Sequence, residues 1–471
     1  MSDLDAVVEL VARRRDALVA LSDAIWATPE LCYAETHSAA LHAAALAEHG
    51  FRVETGVAGI PTALLGEIGA EGPVIAFLGE YDALPGLSQE AGVAEHRPLE
   101  AGGCGHGCGH NLLGAGAMLA AVATADFLAR EGLPGRVRYY GCPAEEGGAA
   151  KTFMVRAGAF DGVDAAISWH PSHFPELFTA KSLANTRIDF TFSGRAAHAA
   201  AAPELGRSAL DAVELMNVGV NYMREHMPSD ARIHYAVLDA GGIAPNVVQA
   251  RAKVRYAVRA VDLAGMRDLV RRVSNVARGA ALMTETSVEI QIVSAVSNLL
   301  GNTPLERALD EIIARLGPPP FDDDDRAFAT EIRETLSEAD IDRAFASAGQ
   351  TRDDAVLADR TVPRDATRRQ MLGSTDVGDV SWVTPTVQAH GAVMAIGTQL
   401  HSWQMVAQGK SSAAHRGMVR VAEAMAALGV RLFRDGDLRA EAAADLAART
   451  RKTPYVCPIP DEVSPPVAMS G

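Results

Sequence analysis

Six residues of this chain have side chains that together could hold metal and activate water. They are Cys108 and His110, two apart in GCGH, the adjacent Glu145 and Glu146, then His170 and His401. Thiolate, imidazole and carboxylate donors suit a first-row divalent ion such as zinc or manganese. Five potential ligands could hold two ions and leave one carboxylate over. That spare group matters, because hydrolysis at a metal needs a base to take a proton from water and pass it to the leaving nitrogen. Adjacent glutamates diverge, so one can face a metal while the other stands at water distance. The residues alone leave blander readings open: a hydrogen-bonded structural histidine, a cysteine serving as a small hydrophobe, a solvated Glu-Glu pair. Cys104 and His106 repeat the spacing of Cys108 and His110, so a structural zinc built from both pairs is the sharpest rival. Such a site would leave Glu145, Glu146, His170 and His401 without a role, and structural zinc usually uses wider Cys-Cys or His-His spacings.

The elements that must position these residues read as strands alternating with helices, and open α/β sheets place ligands beyond the carboxyl ends of their strands. An apolar run at 74–78 reads as a buried strand that breaks into GEYDALPG, carrying Glu80 and Asp82. AGGCGHGCGH leads into a helix over 111–130 with Asn111 as its cap. RVRYYGCP ends at Glu145 and Glu146, AAISWH ends at His170, and the strand-like AVMAIG leads to LHSW and His401 before a helix over 418–432. Between them TRIDFTF, a helix over 207–224, RIHYAVL, KVRYAVR, a helix over 263–283 and SVEIQIV follow the order β-α-β-β-α-β. The fold class expected is therefore α/β, a catalytic domain over 1–183 and 297–471 with a small ferredoxin-like domain inserted at 184–296. The prolines at 318–320 and aspartates at 322–325 read as a solvated linker without chemistry.

The chain has 471 residues, 48% hydrophobic and 22% charged, enough for several domains and a large core. A net charge of −16 with no basic cluster argues against nucleic-acid binding. Five scattered cysteines make no disulfide framework and fit a reducing compartment. The chain opens with an amphipathic helix (Leu4, Val7, Val8, Val11) where a signal peptide needs an unbroken apolar core, and no later stretch reads as long and apolar enough for a membrane span. A cytoplasmic location is expected.

One series of motifs runs the length of the chain: PELCYAETHSAA, EYDALPG, GHGCGHN, PAEEGGAAK, WHPS, SGRAAHAA, GGIAPNVVQA, STDVGDVSW and LHSW. In order and spacing it resembles the amidohydrolase branch of the M20 metallopeptidase family. The resemblance implies two divalent ions, Mn or Zn, held by Cys108, His110, Glu146, His170 and His401, with Glu145 as general base. It implies Asp82 and Asp379 as residues that orient the ligands. The inserted domain would be a lid that also mediates dimerisation. Its His198, Asn246 and Arg259 would grip the substrate's carboxylate and the developing oxyanion, His198 reaching from one subunit into the other's site. Much of the branch has Asp and then a second His after Cys-Gly-His. Asn111-Leu112-Leu113 stands there instead, a variant that resembles the B-type group of aminobenzoyl-glutamate hydrolases. The extra pair Cys104 and His106 falls outside the motif. The activity implied is cleavage of the amide bond of an N-acyl or N-aroyl amino acid, p-aminobenzoyl-glutamate first. Another N-acyl amino acid such as indole-acetyl-aspartate, or a dipeptide, is the near alternative. A non-catalytic subunit or a structural-zinc protein is the distant one, opposed by the complete set around Glu145. The partner implied is a second copy or a paralogous A-type chain.

Overall fold

The computed structural model describes residues 2–178, 182–365 and 373–467. Its strands are β1 (Arg52–Thr55), β2 (Leu64–Gly69), β3 (Val74–Glu80), β4 (Arg136–Cys142), β5 (Ala165–Ser172), β6 (Glu176–Leu177), β7 (Ala184–Ser193), β8 (Arg232–Asp239), β9 (Arg251–Ala260), β10 (Ser287–Val296) and β11 (Thr386–Ala392). They build a seven-stranded sheet, β1-β2-β4-β3-β5-β11-β6, and a four-stranded one, β10-β7-β9-β8. The chain is a mixed α/β protein, as its sequence predicts.

In the larger sheet β4, β3, β5 and β11 run parallel, with antiparallel strands at the edges. Helices cover it on both sides, so every residue of β3 is buried and the strand reads as one apolar run. Helices Asp3–Trp26, His110–Glu131 and Ser412–Arg434 share one core with Phe77, Trp169 and Met425. Phe153, Tyr140 and Val377 belong to the core on the opposite side. From β3 the chain crosses to β4 on one flank, then returns to β5 on the other. This reversal opens a crevice at the carboxyl ends of β3 and β5, where ligands of such sheets bind.

The smaller sheet is antiparallel throughout and follows βαββαβ order with helices Ala209–Met223 and Leu263–Met283. On β9 every second residue (Ala252, Val254, Tyr256, Val258, Ala260) is buried in the helix-covered core. The alternate residues, among them Arg255 and Arg259, lie on the opposite face. Strand β8 is an edge, exposed along nearly its whole length.

Four local expectations need correction. The central helix starts at His110, and its cap is Gly109 in the left-handed conformation, not Asn111. Asn111 is buried inside the helix, where its Nδ2 donates to Ser22 Oγ and to the Gly409 carbonyl at 3.0 Å each. That same helix is long and apolar enough to cross a membrane, contrary to the sequence reading, but 83% of its apolar window is buried inside the protein. Aspartates 322–325 form no linker: Asp322 and Asp325 make a capping box on helix Asp323–Glu334, and Asp325, itself buried, pairs with Arg416 Nε at 3.0 Å. The strand read at AVMAIG lies earlier, at Thr386–Ala392, so His401 follows a loop and not a strand end.

Candidate active site

Loops at the carboxyl ends of the strands enclose a cavity of ≈ 410 Å³, within the range that holds a small ligand. Cys108, Glu145, Glu146, His170 and His401 line it from the larger sheet, and Asn185, Arg187, Arg259 and Ser294 face it from the smaller one.

Two glycines make the first wall possible. Gly109, at φ +74°, turns the chain from Cys108 into the helix that begins at His110, and a Cβ there would lie 2.6 Å from Met405 Cε. Gly107 lets the His401 backbone approach, so that His401 N–H donates to the Gly107 carbonyl at 2.7 Å. Three of the six described non-glycine residues with positive φ, Ala144, Ala149 and His401, belong to this site. Strained backbone thus gathers where Glu145, Glu146 and His401 must be aimed.

Donor atoms converge in two sets that share one residue. One donor atom each from Cys108, His110 and His170 lie within 4.8 Å of one another, as do those from Cys108, Glu146 and His401. Cys108 Sγ is 3.4 Å from His170 Nε2, and His401 Nε2 is 3.2 Å from Glu146 Oε1. Asp82 orients two of these groups: its Oδ1 is 2.8 Å from His110 Nδ1, and its Oδ2 accepts from the Glu146 N–H at 2.9 Å. A third set joins Glu80, His110 and Glu145. Glu80 already has a cation, since Lys151 Nζ bridges Glu80 Oε1 and Asp376 Oδ1 at 2.6 Å each, all three side chains buried.

The electrostatics suit cations. Burial opposes a charged His110, but Asp82 outweighs it and the pKa is raised well above the ordinary value. A divalent ion beside Nε2 would compete with that proton for the same lone pair. His170 is brought down to about 4, by burial first and then by His110, which keeps its imidazole neutral. Burial, then the Glu146 charge, pushes the Cys108 thiol up; only a nearby cation would turn it into a thiolate ligand. Glu145 is raised well above the carboxylate range by burial and by Glu80 and Glu146. His110 Nε2, 3.4 Å from Glu80 Oε2, and Glu146 Oε1, 3.2 Å from His401 Nε2, are buried and make no well-aligned hydrogen bond among the described residues. Orphaned donors of this chemistry fit metal ions.

The remaining residues singled out from sequence fall elsewhere. Asp379 is buried behind the cavity, where it accepts from Ser297 Oγ at 2.7 Å and from Thr152 Oγ1 and Tyr455 OH at 2.9 Å each. His198 and Asn246 lie on exposed loops of the smaller sheet, tied by the Ala199 N–H to Asn246 carbonyl bond at 2.9 Å, and do not line this chain's own cavity. His106 is a structural residue: buried, with Nε2 3.2 Å from the Ile25 carbonyl oxygen. Sequence reasoning missed Lys151, Asp376, Arg187, Asn185 and His390, all near or in the cavity. His390, two residues before the end of β11 and beside His170 in register, was missed because the strand was read at AVMAIG, after it.

Fold and site define a peptidase-type hydrolase of amide bonds, and the chain belongs to peptidase family M20/M25/M40, whose model matches residues 76–355. Among its relatives is the B-type component of p-aminobenzoyl-glutamate hydrolase from Escherichia coli (strain K12), 46% identical over 94% of this chain and 95% of that one. Mouse Xaa-Arg dipeptidase is 30% identical over 89% of this chain and 88% of its own. Two solved structures share the fold. The aminobenzoyl-glutamate utilization protein of Klebsiella pneumoniae matches with TM-score 0.59 at 17% identity, covering 90% of this chain and 98% of its own. The Bacillus subtilis YXEP protein, a dinuclear metal-binding peptidase of family M20, matches with TM-score 0.57 at 18% identity, covering 90% and 99%.

Proposed function

We propose that this chain cleaves the amide bond of an N-aroyl amino acid, p-aminobenzoyl-glutamate before others, releasing p-aminobenzoate and glutamate. The observation that carries the reading is the meeting of two Cys108-sharing donor sets with Glu145 and an arginine-bearing wall in one cavity. Similarity to the E. coli hydrolase component over nearly the full chain supports the choice of substrate.

Cys108, His110, Glu146, His170 and His401 would hold two ions, manganese or zinc, with Asp82 fixing the His110 tautomer. When bound, such ions supply Lewis acidity for a carbonyl and acidify water. Glu145 takes the proton released as water adds to the scissile carbonyl and returns it to the nitrogen as the C–N bond breaks. Arg259 binds the leaving amino acid's carboxylate. Residues 1–183 and 297–471 act as the catalytic domain and 184–296 as a lid and dimerisation domain. The exposed edge β8, with Tyr235, Val237 and Leu238 exposed and Ile243 fully so, supports pairing with a second copy or a paralogous chain. Across that interface the exposed His198 and Asn246 would reach the partner's site. Five unpaired cysteines support a cytoplasmic setting.

The test is release of free amino acid from a panel including p-aminobenzoyl-glutamate, indole-acetyl-aspartate and a dipeptide, by the purified chain loaded with manganese or zinc. Turnover of the first that a chelator abolishes is expected. Silence on the whole panel, with and without a paralogous A-type chain, would sink the reading.

A further inference from the structure

Two arginines, not one, face the cavity from the smaller sheet. In the β7–β9 register Arg187 stands opposite Ala257 and Asn185 opposite Arg259, so Arg187 and Arg259 are diagonal neighbours on one face. Diagonal pairs lie roughly 7–8 Å apart. They interact: burial, then the Arg187 charge, lowers the pKa of Arg259. Two like charges on a half-buried wall repel each other and favour an anionic ligand in the cavity they face.

The same face shows what an answered cluster looks like. Two residues along β7, Asp189 accepts from Arg255 Nε and Lys253 Nζ at 2.6 Å each. No carboxylate among the described residues is in ion-pair contact with Arg187, whose hydrogen bond runs from Nη1 to the Gly147 carbonyl at 3.2 Å. That bond sets its guanidinium beside the loop carrying Glu145 and Glu146. Asn185 lines the same wall, its Oδ1 buried without a hydrogen-bond partner among the described residues. The wall is thus polar and cationic, and Arg187, with no carboxylate partner among the described residues, is placed to meet an anionic group of a ligand in the cavity.

We infer that Arg187 is a specificity-determining residue that binds the side-chain carboxylate of a dicarboxylic amino-acid leaving group, while Arg259 holds the α-carboxylate. This rests on the amide-hydrolase reading above. Planar guanidinium forks match carboxylates two bonds at a time, and a dicarboxylic amino acid offers one carboxylate to each of two arginines on the same face. A neutral side chain of the same length leaves Arg187 unanswered, so it is discriminated against by the charge it lacks.

The experiment compares kcat/KM for p-aminobenzoyl-glutamate and p-aminobenzoyl-glutamine on the metal-loaded full chain, wild type against Arg187→Gln and Arg187→Lys. Wild type should prefer the glutamate substrate at least about tenfold. Arg187→Gln should lose roughly 10- to 100-fold on it, mainly through KM, and change less than about threefold on the glutamine substrate. Arg187→Lys should recover part of the preference. Equal losses on both substrates would overturn the assignment, since Arg187 would then serve the Gly147 loop or the α-carboxylate. So would a wild type without preference, or a Gln variant that keeps it. Should the variants not fold, or wild type turn over neither substrate, thermal shift of the wild type by glutamate and by glutamine decides. Stabilisation by glutamate at concentrations at least about tenfold lower supports the clamp, and parity overturns it. Loss of turnover with the clamp intact would strike only the amide-hydrolase reading.

Discussion

Replacing Lys151 by Met probes the charge network beneath the site. Lys151 Nζ lies 2.6 Å from both Glu80 and Asp376, and none of the three side chains is more than 2% exposed. At an effective dielectric of about 20, each contact is worth about 6 kcal/mol before desolvation is counted. Removing the cation leaves two carboxylates buried together, and breaking a buried pair this way typically costs about 3–5 kcal/mol. At about 2.1 cal/mol/K per residue the whole chain unfolds with an entropy of about 1 kcal/mol/K, so Tm should fall by about 3–5 °C. The loss should also depend on pH. Burial raises Asp376 to about 6 even with Lys151 opposing it, so the folded state binds this proton more tightly than the unfolded chain does. Stability contributed by that proton is present at low pH and is lost as pH rises through about 6. Without Lys151 the carboxyl shifts further upward, so the destabilisation should be smaller at pH 5 than at pH 8. Calorimetric scans of both proteins at the two pH values measure this. A fall below about 1 °C, or an equal fall at both pH values, would falsify the view that Lys151 neutralises two ionised neighbours.

Glu145→Gln should cut kcat by roughly 10²- to 10⁴-fold while bound metal, counted by elemental analysis, stays constant; metal lost in parallel would make Glu145 a ligand instead. Because Cys108 belongs to both donor sets, Cys108→Ala should lower the occupancy of two ions, whereas His401→Ala should leave one bound. Equal stoichiometry in the two variants would contradict the shared-thiolate geometry. His198 is exposed and does not line its own cavity, so dimers formed by mixing inactive His198→Ala and Glu145→Gln chains should regain activity. A mixture as inactive as its components would place His198 in its own subunit's site or outside catalysis.

The candidate site residues were legible because each sits in a short motif next to a recognisable element: Cys108 and His110 at a glycine-rich helix start, Glu145 and Glu146 after β4, His170 near the end of β5. Local periodicity marked the strands, and their carboxyl ends marked the crevice. The βαββαβ unit was legible for the same reason, since β9 alternates and its two helices are amphipathic. Local chemistry that resembled something commoner was misread. Four aspartates looked like a solvated run until two of them proved to be one helix's capping box. The central helix's cap was assigned to Asn111, by residue type, when a glycine in the left-handed region already closed the turn.

Sequence by itself determined which groups could carry the chemistry and which strands would present them, because those follow from side-chain type and a period of two or 3.6 residues. Only the tertiary structure decided how charges are answered. Lys151 meets Asp376 across 225 positions, and nothing near either residue in the chain announces the other. Arg187 and Arg255 look alike as strand arginines, yet one has Asp189 and the other faces the cavity. That difference depends on register and on what packs opposite, which are properties of the folded chain.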